Sequence, residues 1–469
     1  MISGTLPKRN PNRAFPGGRF GIIAGGPPGS TVAATTCAAT RPGERGRRGG
    51  SAVAERARTT GGRTATVTPR QALRGNGRWP AALIAALVAM VLVSGCATAA
   101  ARATHEQKQA QQTAPVVPAS VTPADGTDGV GPRTDVTADG GSGTLRDVAL
   151  TNAKGVAVAG TLSDDAKRWT PTEPLGYGGT YTWSGTAVAA DGTTTPLAGS
   201  FTTVTPKRTV KATTNIGDGA TVGVAAPIEV QFNRDLDQTA KAAVEKSLKV
   251  TTSTPVEGAW AWLPDDQQGS RAHWRPKEYW PAGTRVTMTA AVYGVDMGSA
   301  GYGAADLSSE FTIGRSQVVK ADVTSHRIVV IRDGQQVLDL PASYGLETDP
   351  NRVTRSGTHI VMGKAETVLM TNLAYGYQNL PEKWAVRISN NGEFIHANPA
   401  SVGAQGNRNV THGCINLSLK NAKTYFDTAM FGDPVEVTGS SVTLSAADGD
   451  VYDWAVDWSA WQSMSALSS

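Results

Sequence analysis

The run THGCINLS, residues 411–418, sets His412 and Gly413 directly before Cys414, the only cysteine in the second half of the chain. A free thiol has a pKa near about 8.5, so little of it is thiolate at neutral pH. An imidazole within reach can take that proton and later return one to a leaving amine. His396, eighteen positions before Cys414, and His412 are the two candidates. In an extended segment His412 and Cys414 would share a face. Gly413 carries no Cβ, so the backbone there admits a close approach. The amides of Gly413 and Cys414 would then be placed to hold an oxyanion. Two other readings fit the same residues. A lone cysteine is often a small apolar core residue. His396, His412 and Cys414 could also bind zinc, with His359 as a fourth ligand, although their spacing matches no standard zinc set. His326 and His359 otherwise read as strand residues.

Such side chains need a rigid frame, and from residue 316 onward the pattern is β-rich. IVVIRDGQQVLDL reads as strand, Asp-Gly turn, strand. GTHIVMG, AVRIS and GEFIHA read as further strands. After Cys414, SLKNAKTYFDTAM has helical spacing, with Ala422, Tyr425 and Phe426 on one face.

The stretch GEFIHANPASVGAQGNRNVTHGCINLS, residues 392–418, together with SGTHIVM, AYG and RISNNGEFIH upstream, resembles the L,D-transpeptidases of bacterial cell walls, the YkuD-type catalytic domain. The resemblance spans roughly residues 316–440 and implies a β-rich catalytic fold. It assigns Cys414 as nucleophile and His396 as base and acid, with the other ring nitrogen held by the carbonyl of Ala397. It places His412 and Gly413 beside the oxyanion, Asn416 against substrate, Asn391 and Gly392 in a substrate-side turn, and Met370, Tyr375 and Tyr377 in a lid. The implied reaction joins peptidoglycan tetrapeptide stems, donor and acceptor, diaminopimelate to diaminopimelate, with release of D-alanine. No metal and no cofactor is called for, and carbapenem β-lactams are implied as covalent inhibitors. Two rivals stand beside this reading. Water in place of the acceptor amine gives an L,D-carboxypeptidase, and an inactive domain gives a wall-binding lipoprotein.

The rest of the chain reads as delivery. Its 469 residues exceed one core. Residues 1–78 hold fourteen Lys or Arg against two Asp or Glu, in low-complexity sequence expected to be disordered. The net charge of +5 therefore belongs to this arm, and the mildly acidic remainder offers no electrostatic case for nucleic acid. In 79–96, PAALIAALVAMVLVSGC has a basic flank and an apolar run too short to span a membrane. Its ending resembles a lipobox, which implies lipidation of Cys96 and a lipid anchor on the outer face of the cell membrane. Residues 97–139 read as a flexible spacer. RWTPTEPLGYGGTYT (168–182) and HWRPKEYWPAGTRVT (273–287) superimpose with one gap. With period-two alternation around them, they predict two immunoglobulin-like modules, 140–206 and 207–315, with Trp169 and Trp274 in their cores. NRDLD (233–237) lacks the glycine and later glutamate of a calcium loop. In the tail, 441–469, Trp454, Trp458 and Trp461 stand at i, i+4, i+7, one helical face expected to pack on the catalytic domain, with glycan binding as the alternative. The predicted class is thus mainly β: two sandwich modules, then the catalytic domain at 316–440.

Overall fold

The structure, a computed structural model, describes residues 118–445 and 451–468. The basic arm, the segment read as a signal, Cys96 and residues 97–117 of the expected spacer lie outside the described residues. No helix among those described is long and apolar enough to cross a membrane.

Alternating apolar residues build two successive sandwiches. In the first, one sheet orders Ser120–Thr122, Thr137–Asp139, Arg168–Pro171 and Gly160–Leu162. Facing it, Thr127–Val130, Gly199–Thr203, Thr180–Val188 and Thr144–Asn152 form the other sheet. This module therefore begins at Ser120, inside the segment expected to be spacer. Its first strands are only three or four residues long and poor in large side chains, so they read as linker. Even so, Val130, Val136 and Ala138 are buried.

The second module repeats the plan. Ala212–Thr214, Ile228–Phe232, Arg271–Pro276 and Gly258–Leu263 form one sheet, and Thr221–Val222, Leu307–Ile313, Arg285–Ala290 and Leu248–Thr252 the other. The helix Gln238–Glu245, capped by Asp237, is an addition. Trp169 and Trp274 are buried at equivalent places, against Trp183 at 5.3 Å and Trp280 at 4.9 Å. Each ring lies over a glycine of the neighbouring strand. A Cβ on Gly160 would stand 2.0 Å from the Trp169 ring, and one on Gly258 2.0 Å from the Trp274 ring.

The third domain pairs a five-stranded sheet with a four-stranded one. The first runs Gln335–Pro341, Arg327–Arg332, Gln317–Asp322, Pro434–Thr438, Gly357–Ile360. The second runs Gly363–Asn372, Tyr377–Arg387, Phe394–Ala397, Ile415–Leu417. Asp333 and Gly334 both have positive φ, 49° and 79°, as a tight hairpin turn requires. Helix Leu419–Thr428 is capped by Ser418, whose Oγ accepts from the Asn421 amide, and buries Ala422 and Tyr425. His326 lies in the turn between Asp322 and Arg327 at φ 59°, not in a strand, with Nδ1 2.9 Å from Asn409 Oδ1.

The tail departs from expectation in two ways. It is not one helix: Trp454 lies in the 3-10 turn Asp453–Ala455, and Trp458 and Trp461 lie in the short helix Trp458–Ser463, separated by extended Val456 and Asp457. Its first residues pack on the catalytic domain as expected, with Leu444 N donating to Ser356 O at 2.7 Å, whereas from Tyr452 onward it packs mainly on the second sandwich. The Arg275 guanidinium sits 4.7–5.1 Å from the centres of all three indoles. Trp461, fully buried, donates to Ala259 O at 3.0 Å, and His273 Nδ1 meets Asp453 Oδ1 at 2.9 Å inside the protein. A buried cation with few donors satisfied attracts aromatic faces, which spacing in the tail alone does not reveal.

Candidate active site

His396 and Cys414 are delivered by neighbouring elements of one sheet. Strands Phe394–Ala397 and Ile415–Leu417 run parallel, with Ile395 opposite Ile415 and His396 opposite Asn416. Cys414 immediately precedes the second strand. The Cys414 thiol lies close enough to the His396 ring to act on its charge, and Met370 and Tyr377 belong to the small apolar cluster against which Cys414 packs. Cys414 is partly exposed, and its Sγ–H also points at Gly392 O, 3.7 Å away. His396 is buried, and its Nδ1 lies 2.9 Å from Ala397 O. Burial drives the ring toward neutrality, but Cys414 and Glu382 outweigh it and push its pKa up to about 10.

The approach to Cys414 is held open by its own loop. Gly413 has φ 106°, a conformation that favours glycine, and its carbonyl accepts from Thr354 Oγ1 at 2.8 Å. Thr411 Oγ1 donates to Cys414 O at 2.6 Å. Arg352 donates from Nε to Thr411 O at 3.1 Å and from Nη2 to Val410 O at 2.6 Å. With the carbonyls tied back, the amides of Gly413 and Cys414 have no backbone acceptor among the described residues.

His412 and Gly413 form a bend rather than an extended strand. The His412 ring is exposed and lies 4.5 Å from Tyr375 and 5.7 Å from Tyr377, and Tyr377 also belongs to the cluster against which Cys414 packs. Burial and the Arg352 charge lower its pKa. The two tyrosines come from the hairpin Gly363–Asn372 and Tyr377–Arg387, closed by the turn Leu373–Tyr375. Asn391 accepts from Ser389 Oγ in the turn that ends at Gly392. Asn416 is buried beside His396, with its Oδ1 lacking a hydrogen-bond partner. His359, the fourth member of the zinc alternative, turns away from the others. Its Nε2 donates to Arg355 O at 2.8 Å and its Nδ1 faces Glu393 at 3.7 Å. Among the described residues, no three His, Cys, Asp or Glu are grouped to hold a metal ion.

Three residues of the site escape a reading of the sequence. Thr354 and Arg352 act through backbone groups distant in sequence, which leaves no local signal. Glu382, whose Oε2 lies 3.2 Å from His396 Nδ1, sits in a strand whose register shifts between Lys383 and Val386, so alternation does not reveal its direction.

Fold and site together define a β-rich domain built around a thiol–imidazole pair and carried behind immunoglobulin-like modules. Residues 316–437 match the L,D-transpeptidase catalytic domain, and residues 127–296 match a bacterial Ig domain. The chain is 56% identical over 345 residues to L,D-transpeptidase 5 of Mycobacterium tuberculosis, covering 74% of this chain and 76% of that protein. It is 36% identical over 360 residues to L,D-transpeptidase 2 of the same species, covering 75% and 85%. An L,D-transpeptidase solved in complex with imipenem is 34% identical, covering 49% of this chain and 99% of its own, with a TM-score of 0.41. The chain belongs to the L,D-transpeptidase family.

Proposed function

We propose that this L,D-transpeptidase cross-links peptidoglycan stems through a thioester on Cys414. The observation that carries the reading is Cys414 set beside a buried His396 ring whose Nδ1 is already engaged by Ala397 O. The attacking form is the Cys414 thiolate, its proton taken by the His396 ring. It attacks the carbonyl of the third stem residue, diaminopimelate, and the oxyanion is received by the Gly413 and Cys414 amides. Collapse breaks the peptide bond. The His396 proton passes to the departing amine, and D-alanine leaves. The side-chain amine of a second stem then attacks the thioester, gives its proton back to His396 and releases the thiolate. His412, Tyr375 and Tyr377 line the approach and contact the stems, with Asn391 and Gly392 on the opposite side. A carbapenem acylates the same sulfur by ring opening, since that step needs only the thiolate and the oxyanion donors.

Purified protein incubated with disaccharide-tetrapeptide is expected to release D-alanine and yield a dimer mass. Both are lost in Cys414→Ala, and a dimer that persists in that variant overturns the assignment. D-alanine released without dimer, in the presence of acceptor, identifies hydrolysis instead. Delivery is part of the proposal: export, lipidation of Cys96 and anchoring at the outer face of the membrane would hold the catalytic domain at the wall. Labelled fatty acid incorporated into the wild type and equally into Cys96→Ser would rule out that anchor.

A further inference from the structure

His396 Nδ1 faces two acceptors, and the transpeptidase reading uses only one. The Ala397 carbonyl, at 2.9 Å, is enough to fix the tautomer. The Glu382 carboxylate, at 3.2 Å, adds a negative charge where the protein has buried almost everything else. Glu382 is only 7% exposed. A carboxylate so placed is costly unless a positive charge faces it. Lys383, its neighbour, sends its ammonium outward to Thr367 Oγ1 at 2.9 Å, and Val368 stands across the hairpin. Among the described residues, the only ion-pair partner of Glu382 is His396.

The other elements around the ring bring no competing charge to it. The adjacent parallel strand contributes Asn416. The overlying helix turns Lys423 toward Asp427 and the Trp384 ring. In the hairpin, Lys364 donates to Phe426 O. Cys414 and Glu382 are the two groups whose charges bear on the imidazole.

We propose that Glu382 is a positioning residue for the transfer reaction: its carboxylate holds His396 as imidazolium and so keeps Cys414 a thiolate between turnovers. This rests on the transpeptidase reading. It extends that reading from a cysteine–histidine pair to a relay of three side chains. Glu382 meets the His396 ring and acts through it. With the carbonyl as sole partner, the ring is held in place but the proton is free to return to sulfur.

Two variants of the full chain test this. Glu382→Gln keeps shape and an acceptor but removes the charge, and Glu382→Asp keeps the charge on a shorter stem. The readouts are the pH profile of Cys414 alkylation by iodoacetamide, localised by peptide mass, and kcat and KM for D-alanine release. Circular dichroism confirms that each variant is folded. For Glu382→Gln the alkylation midpoint is expected to rise by about one pH unit or more. Its kcat should fall on the order of tenfold with KM little changed, and Asp should restore part of both. An alkylation profile superimposed on that of the wild type overturns the proposal, even if kcat falls, because the carboxylate would then act on structure only. Wild-type protein that forms no Cys414 adduct with a carbapenem sinks the transpeptidase reading itself, a result that needs no Glu382 variant.

Discussion

At the Cys414–His396 pair, burial works against the charged ring, and sulfur and carboxylate work for it. The outcome, a ring pushed up to about 10 from an ordinary 6.5, has a definite sign. A value raised in the folded state means that folding favours the protonated ring. Its contribution to stability is complete below about 6.5 and is lost as pH climbs through about 10. D-alanine release should therefore hold steady through neutral pH and fall on the alkaline limb as the proton donor for the leaving amine disappears. A rate profile that instead falls near the ordinary histidine value would contradict the ion pair. The His-Gly-Cys run and His396 were legible in the sequence because residue type alone carries their chemistry. The bend at His412 and Gly413 was not, because a single dihedral at Gly413 decides it, and neither was Glu382, which stands in a strand of irregular register.

The tail element shows how periodicity can be right about burial and wrong about shape. Spacing at i, i+4, i+7 marked three tryptophans for one face, and they do converge, but on Arg275 and across a break in the helix. The segment closes one side of the second sandwich. Glu245 accepts from Trp262 Nε1 and from the Ala466 amide, both at 2.8 Å. Trp461→Ala should cost about 3–5 kcal/mol, the usual range for a fully buried tryptophan, read as a lowered urea midpoint in equilibrium unfolding. A loss under 1 kcal/mol would mean the tail is a passive cover. Strands such as Arg327–Arg332 and Gln335–Pro341 were legible for a simpler reason: the Asp-Gly pair between them admits little besides a hairpin.

Across the whole molecule, the second sandwich and the catalytic domain meet backbone to backbone. Gly223 N donates to Phe431 O at 2.7 Å and Ala225 N to Gly432 O at 2.8 Å. Arg315 forks onto the buried Asp433 at 2.9 and 2.8 Å, while Tyr279 donates to Glu436 at 3.0 Å. The second module is thus docked to the catalytic domain, and nothing in the sequence announced that, because amide-to-carbonyl bonds leave no trace in side-chain type. A Cβ on Gly223 would stand 2.3 Å from Asp433 N. Gly223→Ala is therefore expected to split heat unfolding into two calorimetric transitions where the wild type gives one. A single transition at the wild-type temperature would show that the seam yields. The indole-over-glycine contacts at 160 with 169, and at 258 with 274, carry a genealogical consequence. Copying a whole module transmits both members together, whereas a crossover between them with a chain that lacks the glycine joins a ring to a neighbour with no room for it. Viable chimaeras of this chain should have their breakpoints outside those two intervals.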